Sequence, residues 1–303
     1  MRLLCLVTLL LAACGDDSGM DDMGPAPVDM PVVDMPAGPP SRLGPEGRQA
    51  RVHLPTDYDA SGSYPLVIVL HGSGTSGVIE AAYFGIPGLA RETGFIALAA
   101  EGFTDAERQQ QWNATDACCD YDDTGSDDVG YLTDLIDEAT EALAVDPARV
   151  YLLGHSTGGF MAYRMACDAP ETITAIATLN GATWNDPANC GAPSEPTSVL
   201  QFHGTDDTAV LYEGGEIRGN PYPGARESVT RFAERAGCTG METIEPFDLD
   251  STLDGAETIR EQWTDCAAGR DYALWTIEGG AHTPTFTDGA IPAVLEWLFA
   301  HSE

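Results

Sequence analysis

Residues 149–167, Arg-Val-Tyr-Leu-Leu-Gly-His-Ser-Thr-Gly-Gly-Phe-Met-Ala-Tyr-Arg-Met-Ala-Cys, constrain this chain more than any other stretch. The apolar run 150–153 reads as a short, fully buried strand, and 157–166 carries Phe160, Met161 and Met165 at helical spacing. Between them lies Gly154-His155-Ser156-Thr157-Gly158, a G-x-S-x-G on a strand-to-helix turn. So tight a turn forces a strained backbone on its serine. It also needs glycines two residues to either side, where a Cβ would block the crossing chains. The Ser156 hydroxyl is thereby lifted above the sheet, over a helix N-terminus, as a nucleophile would be.

From residue 42 onward, strand and helix signals alternate. Strands are expected at 49–54, 66–70, 95–100, 150–153, 175–179, 199–202 and 273–277, with helices at 157–166, 228–236 and 291–299. This is the pattern of an α/β fold: a mostly parallel central sheet with crossover helices on both faces. In open sheets of this kind ligands bind beyond the C-terminal strand ends. His71-Gly72-Ser73-Gly74, Ser156, Asp206-Asp207 and His282 all fall at such ends.

The first 41 residues read as an address and a spacer. Met1-Arg2 precedes an apolar run, 3–13, too short for a membrane-spanning anchor. It ends in Leu11-Ala12-Ala13-Cys14, which resembles the bacterial lipoprotein cleavage box. That resemblance implies a signal peptide over 1–13, acylation of Cys14 and a membrane anchor of several acyl chains. An ordinary secretory peptide cut nearby is the alternative, and either way the chain is exported. Residues 14–41 are rich in Asp, Pro, Met and Gly, with Val-Asp-Met-Pro at 28–31 and again at 33–36. They read as a disordered acidic tether ahead of a catalytic domain at 42–303. The whole sequence holds 14 basic against 48 acidic residues, a net charge of −34, and no lysine. Such a surface repels nucleic acid, which is excluded as a partner. Solubility accounts for the charge; adaptation to high salt is the alternative.

Further motifs narrow the reading. Trp112-Asn113, Cys118-Cys119, Asp127-Asp128-Val129-Gly130, the turn at 154–159, His203-Gly204-Thr205 and residues 279–283 together resemble the polyhydroxybutyrate depolymerase and feruloyl-esterase group of α/β-hydrolases. The resemblance spans 42–303. It implies a serine carboxylic-ester hydrolase working through a Ser-His-Asp triad and an acyl-enzyme. Its substrates would be polyester (polyhydroxybutyrate-like) or feruloyl or acetyl polysaccharide esters, with no cofactor and no metal. Only 180–197 separates the strand after the serine turn from the next, so no large cap domain is expected and the cleft should be open to chain-like or bulky esters. Two departures stand out. The group commonly has Trp shortly after the catalytic His, where this chain reads His282-Thr283-Pro284-Thr285-Phe286, and Thr208 replaces the usual Pro after the acid.

A serine hydroxyl needs a base, and the base an orienting carboxylate. The chain order in α/β-hydrolases is Ser, acid, His. Of six histidines (53, 71, 155, 203, 282, 301), only His282 follows a strand, lies in a Gly-rich loop and precedes the last helix. Asp206 and Asp207 are both candidate acids, since periodicity does not separate neighbours. The group's His-Gly-Thr-x-Asp pattern implies Asp207. The oxyanion hole is expected at the Thr157 N–H and, by likeness to the group's hole loop, at the Ser73 N–H. Trp184, Tyr212 and Phe286 are expected to line the substrate cleft. Apart from Cys5 and Cys14, six cysteines remain, enough for three disulfides in an exported chain, with Cys238–Cys266 the favoured pair. No Cys/His spacing suits zinc. Two other readings are a peptidase or lipase on the same fold, and a catalytically idle surface binding lipoprotein; the intact Ser, Asp, His and hole loop weigh against the latter.

Overall fold

The structure, a computed structural model, describes residues 38–191, 197–266 and 270–302. The expected signal peptide, Cys14 and the tether up to residue 37 lie outside the described residues.

In chain order the strands are β1 (Arg42–Leu43), β2 (Ala50–His53), β3 (Tyr64–Leu70), β4 (Ile96–Ala100), the small hairpin β5 (Phe103–Thr104) and β6 (Gln110–Gln111), β7 (Val145–His155), β8 (Ala175–Leu179) and β9 (Ser198–Gly204). A second small hairpin, β10 (Gly214–Ile217) and β11 (Asn220–Pro223), precedes β12 (Gly240–Phe247), β13 (Thr258–Thr264) and β14 (Tyr272–Ile277). The helices are α1 (Gly77–Tyr83), α2 (Ile86–Thr93), α3 (Asp128–Ala142), α4 (Thr157–Asp168), α5 (Ala225–Arg235) and α6 (Ala290–Phe299).

The main sheet has the order β1-β2-β4-β3-β7-β8-β9-β14-β13-β12. Its centre, β4 to β14, is parallel. Antiparallel pairs close both edges. Period-2 alternation divides the side chains of each central strand between two cores. Leu66, Ile68, Leu70 and Leu152 join Leu132, Leu135, Phe160, Met161 and Phe232 of α3, α4 and α5. Val67, Val69, Tyr151 and Leu153 join Ala81, Ala90, Ile291 and Leu295 of α1, α2 and α6. Because both faces are covered, these strands are continuous apolar runs, and that is why they are readable in sequence.

Several elements were not expected. The hairpin β12–β13 extends the sheet at its edge, but β12 is exposed along most of its length, so no apolar alternation marks it. Helix α3 starts in the Asp-Asp-Val-Gly motif. The Asp127 carboxylate caps it by accepting from the Gly130 N–H at 2.9 Å. Buried Asp128 pairs with Arg48 at 2.7 Å and accepts from the Asn113 N–H at 2.6 Å, stapling the Trp112-Asn113 loop to the helix. Helices α1 and α2 fill the crossover from β3 to β4. Between β8 and β9 the described residues form only a 3-10 turn, Pro187–Asn189, and no cap domain.

Among the described residues there are three disulfides: Cys118–Cys119, Cys167–Cys190 and Cys238–Cys266. The last ties the end of α5 to the end of β13 across 28 residues. Replacing both its cysteines with serine should lower stability by about 3 kcal/mol through the freed unfolded chain. A denaturant midpoint unchanged from the parent would refute this.

Candidate active site

Ser156 joins β7 to α4 with φ 54° and ψ −118°, a positive-φ conformation that a side-chain-bearing residue holds only under constraint. The Ser156 N–H donates to Leu179 O at 2.8 Å, fixing the turn to the end of β8. The flanking glycines are sterically required. A Cβ on Gly154 would lie 2.2 Å from Gly158 O, and one on Gly158 would lie 2.1 Å from Leu70 O. Both obstacles are backbone, which cannot give way. Gly158→Ala should therefore destabilise the fold by about 3 kcal/mol; a urea midpoint within error of the parent's would contradict the packing described.

The loop after β3 is held from several sides. His71 is fully buried, and burial pushes its pKa down. In its neutral form Nδ1–H donates to Gly72 O at 2.8 Å, while Nε2 accepts the Gly102 N–H at 2.9 Å. The Gly72 N–H donates to Glu80 Oε2 at 3.2 Å. Trp112 Nε1–H donates to His71 O at 3.0 Å, and Gln111 Nε2–H to Ser73 Oγ at 2.8 Å. With its carbonyl fixed by His71, the Gly72–Ser73 peptide has a set plane, and its N–H belongs to Ser73. Among the described residues, neither the Ser73 N–H nor the Thr157 N–H, the first of α4, has a protein acceptor.

His282 follows β14, and its Nδ1 lies 2.7 Å from Asp207 Oδ2. Asp207 is buried, and its Oδ1 accepts from the Ala209 and Val210 N–H groups at 2.7 and 2.9 Å. Asp206 is exposed and contacts the base loop through its backbone, N–H to Gly280 O at 2.9 Å. The geometry thus separates the two neighbours that periodicity does not. Burial alone would raise the Asp207 carboxyl. Hydrogen bonding from His203 and His282, the charge of His282 and the Val210 N–H together pull it well below the 3.8 of a free side chain. The His203 Nε2–H donates to Val210 O at 2.8 Å and lies 3.5 Å from Asp207 Oδ2, so His203 braces the acid loop.

Ser156, His282 and Asp207 lie beyond the C-terminal ends of β7, β14 and β9 respectively, and His282 and Asp207 are in contact. Ser156 Oγ makes no hydrogen bond to His282 among the described residues. Bonds of this kind commonly tighten when substrate binds. The three expected lining residues fall around different cavities. Trp184 borders one of about 600 Å³ with Cys118, Cys119 and Tyr121. Tyr212 borders one of about 850 Å³ along α5, its hydroxyl 2.7 Å from Thr276 Oγ1. Phe286 packs on Tyr83, Phe84 and Phe202, beside a cavity of about 240 Å³. Among the described residues no cluster of three or more His, Cys, Asp or Glu is placed to hold a metal ion.

Sequence reasoning did not pick out Glu80, Asn180 or the bracing roles of His155 and His203. Asn180, buried with φ 52°, donates from Nδ2 to His282 O at 2.7 Å and accepts the Gly204 N–H at 3.1 Å. The available signals were slight: a glutamate within an apolar helix turn, and an asparagine directly after a buried strand.

Comparison with known proteins places the chain among esterases. The profile of the phospholipase/carboxylesterase family matches residues 59–220. The chain is similar to feruloyl esterase B of Piromyces equi, with 32% identity over 180 residues, covering 57% of this chain and 31% of that protein. It therefore aligns with under a third of that relative's length. It is also similar to feruloyl esterase D of Neurospora crassa, at 23% identity over 80% of this chain and 76% of that one. In structure it resembles the acetyl xylan esterase of Aspergillus awamori with a TM-score of 0.60 and 14% identity, over 85% of this chain and 98% of that one, a likeness of fold.

Proposed function

This chain belongs to the phospholipase/carboxylesterase family of α/β-hydrolases and is a carboxylic ester hydrolase, and on that ground we propose that Ser156, His282 and Asp207 are its catalytic triad. The observation that carries the assignment is the 2.7 Å bond from His282 Nδ1 to the buried Asp207 carboxylate, with Ser156 strained at the end of β7 on the same edge of the sheet. Asp207 holds the ring with its proton on Nδ1, leaving Nε2 free to take the serine proton. Ser156 Oγ then attacks the ester carbonyl. The oxyanion enters the hole formed by the Ser73 and Thr157 N–H groups, two donors that stabilise the transition state by a few kcal/mol each. The alcohol departs with the proton from His282, and water repeats the sequence on the acyl-enzyme. No step draws on a cofactor.

For the substrate we propose feruloyl-type esters of polysaccharide. Support comes from the two feruloyl esterases to which the chain is similar and from the shortness of the stretch between β8 and β9, whose described residues form no cap domain over a polymer's approach. The three disulfides support an oxidising compartment and hence export; the Leu11-Ala12-Ala13-Cys14 sequence supports a tether through Cys14 to a domain starting near residue 42. The test is a panel of methyl ferulate, acetylated xylan and polyhydroxybutyrate film. Release of ferulate at a kcat/KM well above that of the other two is the expected result. Hydrolysis of p-nitrophenyl butyrate without release of ferulate would overturn the substrate, and breakdown of the film would transfer it to polyesters.

A further inference from the structure

The oxyanion-hole loop and the base loop come from different parts of the chain, yet both lead to one buried carboxylate. Glu80, on α1, is 3% exposed. Its Oε2 accepts the Gly72 N–H at 3.2 Å, one peptide before the proposed Ser73 donor. Its Oε1 lies 3.0 Å from His155 Nδ1, and His155 Nε2 lies 3.0 Å from the backbone oxygen of His282. That oxygen also accepts from Asn180 Nδ2 at 2.7 Å. The chain of contacts therefore runs from the hole loop through Glu80 and His155 to the base residue. It passes directly beside the nucleophile, to which His155 is joined by a peptide bond.

His282 O is an acceptor, so His155 Nε2 must carry a hydrogen. The Gly72 N–H is a donor, so Glu80 Oε2 must accept. Between Glu80 Oε1 and His155 Nδ1 lies one proton, which belongs to the pair whether it is written on the carboxyl or on the ring. Each of the four polar side-chain atoms in the chain, Glu80 Oε1 and Oε2 and His155 Nδ1 and Nε2, then has a partner. A buried polar network with all its members satisfied is rigid, and one with a member removed is not.

We infer that Glu80 and His155 are positioning residues that lock the oxyanion hole to the general base. Neither touches the reacting atoms; they set the distance between the Ser73 N–H and His282. The inference rests on the triad proposed above and extends it. A glutamine at position 80 can reproduce the whole pattern: its oxygen accepts from the Gly72 N–H, its amide donates to His155 Nδ1, and Nε2–H still reaches His282 O. A leucine of similar volume reproduces none of it.

The test compares Glu80→Leu, Glu80→Gln and His155→Phe with the parent, using p-nitrophenyl acetate and kcat normalised to serine titrated by an organophosphate. Titration removes differences in folded fraction. Because the hole acts mainly in the transition state, Glu80→Leu should lower kcat about 100-fold with KM within about threefold. Glu80→Gln should recover most of that loss. His155→Phe keeps a ring in place but donates nothing, so it should lower kcat about tenfold or more, and it serves if the leucine variant does not fold. The inference is overturned if Glu80→Leu or His155→Phe keeps the parent's kcat, or if Glu80→Gln falls as far as Glu80→Leu. A parent protein with no turnover would instead sink the esterase reading on which the inference depends.

Discussion

Replacing Ser156 by alanine is expected to lower kcat for p-nitrophenyl acetate about 10⁵- to 10⁶-fold, the scale on which removal of a triad nucleophile acts. The unfolding temperature should stay within a few degrees of the parent's. The two halves of this expectation have separate physical causes. Activity falls because the substitution removes the proposed nucleophile at the end of β7. Stability holds because alanine and serine have the same strain at φ 54°, and the turn is fixed by the Ser156 backbone N–H to Leu179 O, which the substitution leaves in place. Ser156→Gly should match alanine in lost activity and unfold no earlier, since glycine removes the strain that opposes the turn. A variant that loses activity and stability together would point to a structural serine rather than a nucleophile.

The second large effect is expected at Asp207. Asp207→Asn should reduce kcat about 10³- to 10⁴-fold. Both oxygens of this carboxylate accept: Oδ1 from the Ala209 and Val210 N–H groups, Oδ2 from His282 Nδ1. An asparagine has one acceptor to offer. If its oxygen serves the two backbone donors, its amide faces His282 Nδ1, which must then accept. The imidazole hydrogen moves to Nε2, the atom that should receive the serine proton. Asp206→Asn, on an exposed side chain, should change kcat less than about twofold, within ordinary surface tolerance. Equal losses at the two positions would contradict the assignment. The same carboxylate has a signature in stability. Its folded-state pKa lies below its unfolded value, so its contribution is fully present above about pH 4 and lost only as pH falls through the depressed folded pKa. The parent's stability advantage over Asp207→Asn should therefore be flat from pH 7 to about 4 and shrink only in stronger acid.

Much of this was legible in the sequence, for identifiable reasons. Strands β3, β4, β7, β8, β9 and β14 are covered on both faces, so they stand out as apolar runs, and β8 matches the expected 175–179 at both ends. The Gly154-to-Gly158 turn was recognisable because its glycines answer to backbone clashes that no other residue avoids. Strand β12 was not legible. It gains its place from backbone pairing with β13 at the sheet edge rather than from burial of its own side chains, and pairing leaves no mark on composition. Asp207 was separated from Asp206 only by a motif, because the deciding quantity is a direction of projection that local periodicity does not fix. Glu80 was invisible for a stronger reason. Its partners, Gly72, His155 and through it His282, are brought together by the parallel order of the sheet, and nothing local to α1 announces them.

Ester hydrolysis by this triad requires that one serine, Ser156, carry the acyl group. Diethyl p-nitrophenyl phosphate reports on that claim: a nucleophilic serine takes the diethylphosphoryl group and releases p-nitrophenolate. Incubation followed by peptide mass mapping should find a single adduct, on Ser156, with ester hydrolysis falling in step with its formation. An adduct on another residue, or full hydrolysis by a protein quantitatively modified at Ser156, would contradict the account.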